Sequence, residues 1–302
     1  MREGRVDTPP PELPRAAATG DDDLQLALWM LYELHYRGFT DAPVDLEWDP
    51  ALIALRRELE RVFEQELRAV LAEEPDGDIG QVLLDMADAA RGPSLAAYLQ
   101  REATREQMIE YLRERSIQQL KESDPQSFVL PRLDGQAKVA LAELQYDEYG
   151  GGRPDRLHSG LYAAAMRAAG LDCTYGAYID KVSAISLAAA NLMSLFGLNR
   201  RLRGAAMGHL AVFEATSSLP CRKISNGLAR LGFPPEAATY FDEHVEADAV
   251  HEQLAARDIC GALVSHDPDL RTDVLFGAAA CLHMDQLMGS CFLDRWTLEV
   301  AS

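Results

Sequence analysis

Apolar residues recur at helical spacing along most of the chain. DDDLQLALWMLYELHYRGF (21–39), PALIALRRELERVFEQELRAVLA (50–72) and TREQMIEYLRERSIQQLKES (104–123) each repeat an apolar position every three to four residues. The same period runs through LHSGLYAAAMRAAGL, VSAISLAAANLMSLFGL, RLRGAAMGHLAVFEATSS and the shorter SNGLARLGF. EAATYFDEHVEADAVHEQLAARDIC and TDVLFGAAACLHMDQLMGSCFLDRW complete the set. Alternating runs of β-branched residues are almost absent, as are hairpin dipeptides. The pattern predicts an all-α fold.

Pro and Gly punctuate the helices at AEEPDGDIG, ESDPQSFVLPRLDG, EYGGGRPDR, SSLPCR and GFPPEA. No internal repeat is visible. Residues 1–20, rich in Pro and Ala, read as a flexible tail. Residues 21–100 read as accessory helices packed on a core formed by 101–302.

Composition narrows the function classes. Hydrophobic residues make up 48% of the 302, enough for a substantial core. No apolar run reaches the roughly 18 residues of a membrane helix, and the first twenty residues lack the apolar stretch of a secretory leader. A cytoplasmic protein is expected. The net charge of −19 argues against nucleic-acid and anionic-membrane partners, which are held through Lys and Arg. The five cysteines are scattered, with no Cys-x-x-Cys pair, and are expected to be reduced core residues rather than metal ligands.

The sharpest local signal is His244-Val-Glu-Ala-Asp248-Ala-Val-His251. Spacings of four and three place His244, Asp248 and His251 on one helix face. Two imidazoles and a carboxylate suit iron, manganese or zinc. A polar surface stripe is the plainer reading, because Asp242, Glu243, Glu246 and Glu252 are close by. The second signal is Glu148, followed by Gly150, Gly151 and Gly152 and then by His158. Ten residues apart, Glu148 and His158 would not align on an unbroken helix, but the glycine break lets them converge. Glu214 lies inside an apolar helix, where an unpaired acid costs several kcal/mol; it must be exposed, paired or metal-bound. Glu122 closes another helix and by itself is an ordinary surface acid. Carboxylates facing histidines across a helical bundle are the recipe for a dinuclear iron site.

These residues resemble the haem-oxygenase-like diiron oxidases and oxygenases, also described as iron-containing redox enzymes. The family pattern is a Glu, then a Glu followed by a His one turn-break later, then H-x3-D-x2-H. Here those are Glu122, Glu148 and His158, and His244, Asp248 and His251; in N-oxygenating members a further Glu precedes the last helix, where Glu214 stands. The likeness covers roughly residues 100–260. It implies a haem-oxygenase-like seven-helix bundle, two iron ions, O2 as co-substrate, a small-molecule substrate, an external electron donor and a homodimer whose contacts involve the N-terminal helices. It further implies oxidation of an amine nitrogen. The alternative on the same cofactor is C–H abstraction with oxidative C–C cleavage or decarboxylation.

Rival classes are a binding protein with a degenerate site and a haem protein using His209 or His35 as axial ligand. His266 and His283 fall outside the pattern. Arg132, Arg200, Arg201 and Arg203 could anchor a substrate carboxylate, although pairing with the abundant acids is the commoner use of arginine in so acidic a chain.

Overall fold

The computed structural model describes residues 18–71, 74–90, 92 and 94–300, the side chains of 246–250 and 298–300 excepted. Among these residues the regular structure is helical throughout, with no strand. The helices are α1 (Asp22–Glu33), α2 (Pro50–Arg68), α3 (Ile79–Ala89), α4 (Leu95–Arg101), α5 (Arg105–Gln119), the single turn α6 (Asp124–Ser127) and α7 (Gly135–Glu148). There follow α8 (His158–Ala168), α9 (Ala184–Leu198), α10 (Arg203–Ala215), α11 (Ser218–Arg230), α12 (Thr239–Gln253), a π-helical segment (Leu254–Gly261), α13 (Ala262–His266) and α14 (Arg271–Val300).

Polar side chains at the helix starts act as caps. Asp49 accepts from the Ala51 and Leu52 amides ahead of Pro50. Thr104 and Gln107 form a reciprocal capping box on α5. The short helices α3 and α4 are absent from the sequence prediction, because each spans only two or three turns. The break at SSLPCR is narrower than predicted. α11 runs straight through Pro220, which sits in its first turn where no helical N–H is required.

Helix α9 is the axle of the molecule. AISLAAANLMSLFGL is apolar on every side, and each residue from Ala184 to Gly197 is buried. It packs against α1, α5, α6, α10 and α14. The most extensive pairing joins α10 to α14. It needs glycine on both sides: a Cβ at Gly208 would overlap the Val274 backbone, and one at Gly277 that of Ala205. One hydrophobic cluster runs from Leu24 and Phe63 to Phe292 and Trp296, so the N-terminal helices share it with the rest. α12 lies across α8, α10 and α11, and its π continuation packs on α3, α7 and α10. That crossing brings the ends of α5, α7 and α8 together with the faces of α10 and α12. Among the described residues, no helix is long and apolar enough to cross a membrane.

Candidate metal centre

Local backbone geometry aims the acidic side chains inward. Glu148 is the last residue of α7, and Gly150, Gly151 and Gly152 follow with φ of 83°, 60° and 77°. Only glycine adopts three such left-handed residues cheaply, and a Cβ at Gly150 would also strike the Arg153 carbonyl. The chain reverses there and opens α8 at His158, whose Nδ1 stands 3.1 Å from Glu148 Oε2. Glu122 lies in the turn just beyond α5. The next residue, Ser123, has φ 68°, a conformation that costs a non-glycine residue roughly 1 kcal/mol or more. In that conformation its hydroxyl donates to Glu148 Oε2 at 2.9 Å.

α12 carries His244 and His251 two turns apart, which puts them on one face. Asp248 belongs to the same helix, but its side chain is outside the described residues. The π segment begins three residues after His251; such a widened turn inside a helix is frequent at functional sites. Glu214 is buried on α10.

Six of the seven predicted ligands therefore meet, and they do so in two sets. Ligand atoms of Glu122, Glu148, His158 and His244 lie within 4.8 Å of one another, as do those of Glu148, Glu214 and His251. Glu148 belongs to both. All six residues are buried. His244 Nε2 faces Glu122 Oε1 at 3.6 Å, and the His158 and His244 rings are 4.6 Å apart between centroids. His251 Nδ1 stands 3.6 Å from Glu148 Oε1 and 3.5 Å from Glu214 Oε2. His158 Nδ1 and His251 Nδ1 are buried, yet neither completes a hydrogen bond of acceptable geometry. The donor atoms converge without satisfying one another.

The electrostatics reflect this crowding. Burial alone would raise the Glu148 carboxyl, but the pairing with His158 and the charges of His244 and His251 hold it at about 2. Glu214 is raised by its burial and by the neighbouring Glu148. Burial opposes protonation of His251, and Glu214, Glu148 and Asp147 more than offset it, raising this imidazole to about 9. His158 is also raised: its burial is overcome by Glu148 and Glu122. Three buried carboxylates held this close need positive charge among them.

Further residues steer these side chains, and sequence reading missed them. The Tyr240 hydroxyl lies 2.7 and 2.9 Å from the two Glu122 oxygens, and Gln119 donates to Tyr240 at 2.6 Å. The His244 Nδ1–H donates to the Tyr240 carbonyl at 2.8 Å, leaving Nε2 for the cluster. Gln145 donates to the Ser123 carbonyl at 2.8 Å. Asp147, exposed, stands 3.4 Å from His251 Nε2. Tyr240 lies one turn before His244, and Gln119 one turn before Glu122; those spacings were the available signal.

The remaining candidates stay out of the cluster. His209 is buried, stacked on Phe213 and edge-on to Phe196, and burial lowers it to about 4. His35 sits edge-on to Trp48. Arg201 pairs with Glu64 and Arg203 with Asp267. Arg132 makes no ion pair with an acid among the described residues; its guanidinium donates to the carbonyls of Gly197 and Leu198.

Three carboxylates and three imidazoles with no thiolate among them form a donor set that suits iron, manganese or zinc. Residues 109–286, more than half of the chain, match the iron-containing redox enzymes, and the chain belongs to that family. Its all-α fold is haem-oxygenase-like. Nitrosourea synthase of Streptomyces achromogenes subsp. streptozoticus is similar to it, 28% identical over 135 residues. That match takes in 45% of this chain and spans 29% of the length of the relative.

Proposed function

We propose that the protein is a non-haem diiron oxygenase that uses O2 to oxidise the nitrogen of a small amine or amino-acid-derived substrate. The observation that carries this reading is the shared carboxylate: Glu148 stands between Glu122, His158 and His244 on one side and Glu214 and His251 on the other. A bridging carboxylate between two histidine-bearing sets is what two neighbouring cations require. Glu122, Glu148, His158 and His244 would hold one iron. Glu148, Glu214 and His251, joined by Asp248 through its place in H-x3-D-x2-H, would hold the other. The irons, when bound, supply the O2 and redox chemistry that no side chain provides.

The chain's own part is geometry and enclosure. Tyr240 and Ser123 hold Glu122 and Glu148 in fixed orientations. Met193, Leu210 and Phe213 form an apolar wall in the cavity that Glu122, Glu148, Glu214 and His244 also line. The space there is about 10 Å³, room for a single water, so a substrate bound against that wall must displace side chains that line it. Glu214 adds a third carboxylate, which suits transfer of oxygen to an electron-rich nitrogen. The name of the similar nitrosourea synthase points to nitrogen–oxygen chemistry as well. The electrons would come from an external donor, in the cytoplasm. Met30, Phe39, Val44, Trp48 and Leu55, large apolar side chains exposed along one N-terminal stretch, favour self-association into a homodimer.

The test is anaerobic loading with Fe(II), followed by rapid mixing with O2 while the visible spectrum is recorded. Two irons per chain and a transient O2-dependent band, its decay accelerated by amines, are expected. Acceleration by aliphatic acids alone would replace nitrogen oxidation with C–C cleavage. Full activity and full iron in Glu214→Ala would remove the reason for preferring nitrogen. No iron uptake and no band would end the oxygenase reading.

A further inference from the structure

A second site lies at the far end of α7. A cleft of about 990 Å³ opens where the start of α7 meets α13, the approach to α3 and the start of α14. That volume is at the upper end of the roughly 300–1,000 Å³ typical of small-molecule sites. In a chain of net charge −19, five arginines converge on this cleft: Arg132, Arg200, Arg203, Arg257 and Arg271. Three carboxylates line it too, and two are already engaged. Asp78 caps α3, and Asp267 pairs with Arg203.

Two of the arginines are like charges held together. Arg132 is anchored by the Gly197 and Leu198 carbonyls. The guanidinium of Arg200, an exposed residue, has no hydrogen-bond or ion-pair partner among the described residues. Burial, and then the nearby Arg200, push the Arg132 guanidinium below its ordinary value. The mouth of the cleft also includes Gly135, Gln136 and Ala137 in the first turn of α7, whose N-cap Asp134 makes no side-chain capping bond. Uncapped amides at a helix start and arginine forks favour the same ligand, a tetrahedral oxyanion.

We propose that this cleft binds a phosphate group. Among the described residues the guanidinium of Arg200 is an unpaired cation of the site, Arg132 is the fixed one, and the first-turn amides of α7 complete the cradle. The volume leaves room for a mononucleotide attached to that phosphate. Fourteen residues of α7, about 20 Å, separate this cradle from Glu148. The ligand is therefore not the molecule oxidised at the metal centre, and the site stands or falls independently of the oxygenase reading.

The test is calorimetric titration of the full chain at low ionic strength with AMP, FMN, inorganic phosphate, adenosine and riboflavin. Saturable one-to-one binding of the phosphate-bearing probes, with adenosine and riboflavin inert, is expected. Arg200→Ala should weaken that binding roughly tenfold or more, since it removes a charge-assisted contact, and Arg200→Glu should abolish it. Arg200 is exposed and unpaired, so both variants should keep the helical circular dichroism and iron uptake of the parent. AMP or FMN binding well above inorganic phosphate assigns the site to a nucleotide; equal binding assigns it to free phosphate. No saturable binding, equal binding of the phosphate-free nucleosides, or undiminished binding in Arg200→Glu overturns the proposal.

Discussion

The two halves of the candidate centre share Glu148 but are built unequally. In the first half, Glu122 is gripped by Tyr240, which is itself held by Gln119. His244 is oriented by a buried backbone carbonyl at 2.8 Å. In the second half, the polar partner of Glu214 among the described residues is His251. His251 is steered by Asp147, at 3.4 Å and with 54% of its side chain in solvent. Ligands held by a second layer of buried hydrogen bonds are preorganised; ligands that hold only each other must settle when a cation arrives. The difference teaches that one family scaffold can carry a tight and a loose half. The expectation is unequal affinity, with the first half filling before the second.

The largest break comes from the residue common to both. Glu148→Ala should reduce bound iron from two per chain to none and lower O2-dependent oxidation by more than ~10²-fold, read by metal analysis and oxygen consumption. Two tightly held irons in this variant would mean that Glu148 does not bridge.

The inequality is tested by splitting the halves. Glu214→Ala should retain the tighter equivalent in an anaerobic Fe(II) titration and lose the weaker one. His158→Ala should do the reverse. If Glu214→Ala removes the tighter equivalent, the ranking is wrong.

Metal addition to the wild type should raise the melting temperature, because the cations relieve repulsion among three buried carboxylates. At a free concentration ~100 times the dissociation constant the gain is about 2.7 kcal/mol, which is roughly 5 °C for a chain of this size. An unchanged melting curve would argue against binding at the buried cluster.

Smaller effects probe the outer layer. Tyr240→Phe keeps the ring and deletes the hydroxyl, and should weaken the first half by ~10–100-fold. Asp147→Asn touches an exposed group and should weaken the second half by less than ~10-fold. Equal losses in the two variants would erase the contrast between the halves.

The parts of the centre differ in how well they can be read from the chain alone. His244 and His251 are legible because one helix imposes their alignment; no other element needs to be known. Glu148 and His158 are half legible. The glycines announce a turn, but only the folded chain shows that the turn returns His158 to 3.1 Å from Glu148. Glu122 carries no local signal, since an acid at the end of α5 looks ordinary until its burial is known; Glu214 is marked by its place in an apolar helix, but only the fold shows that it is buried beside His251. Arg132 misled for the same reason: sequence suggests an acidic partner, whereas the fold presents it with two carbonyls at the end of α9.

Periodicity and breakers, both properties of neighbouring residues, determined by themselves that this protein is helical. The metal-ligand spacing on α12 was set at the same local level. Only the tertiary structure decided that six donors converge in two sets through Glu148, that Tyr240 and Ser123 hold them, and that Arg132 and Arg200 share a cleft. Those facts depend on how helices cross. Crossing is decided by side-chain packing between segments far apart in the chain, such as the glycine contacts of α10 on α14, and no local pattern encodes it.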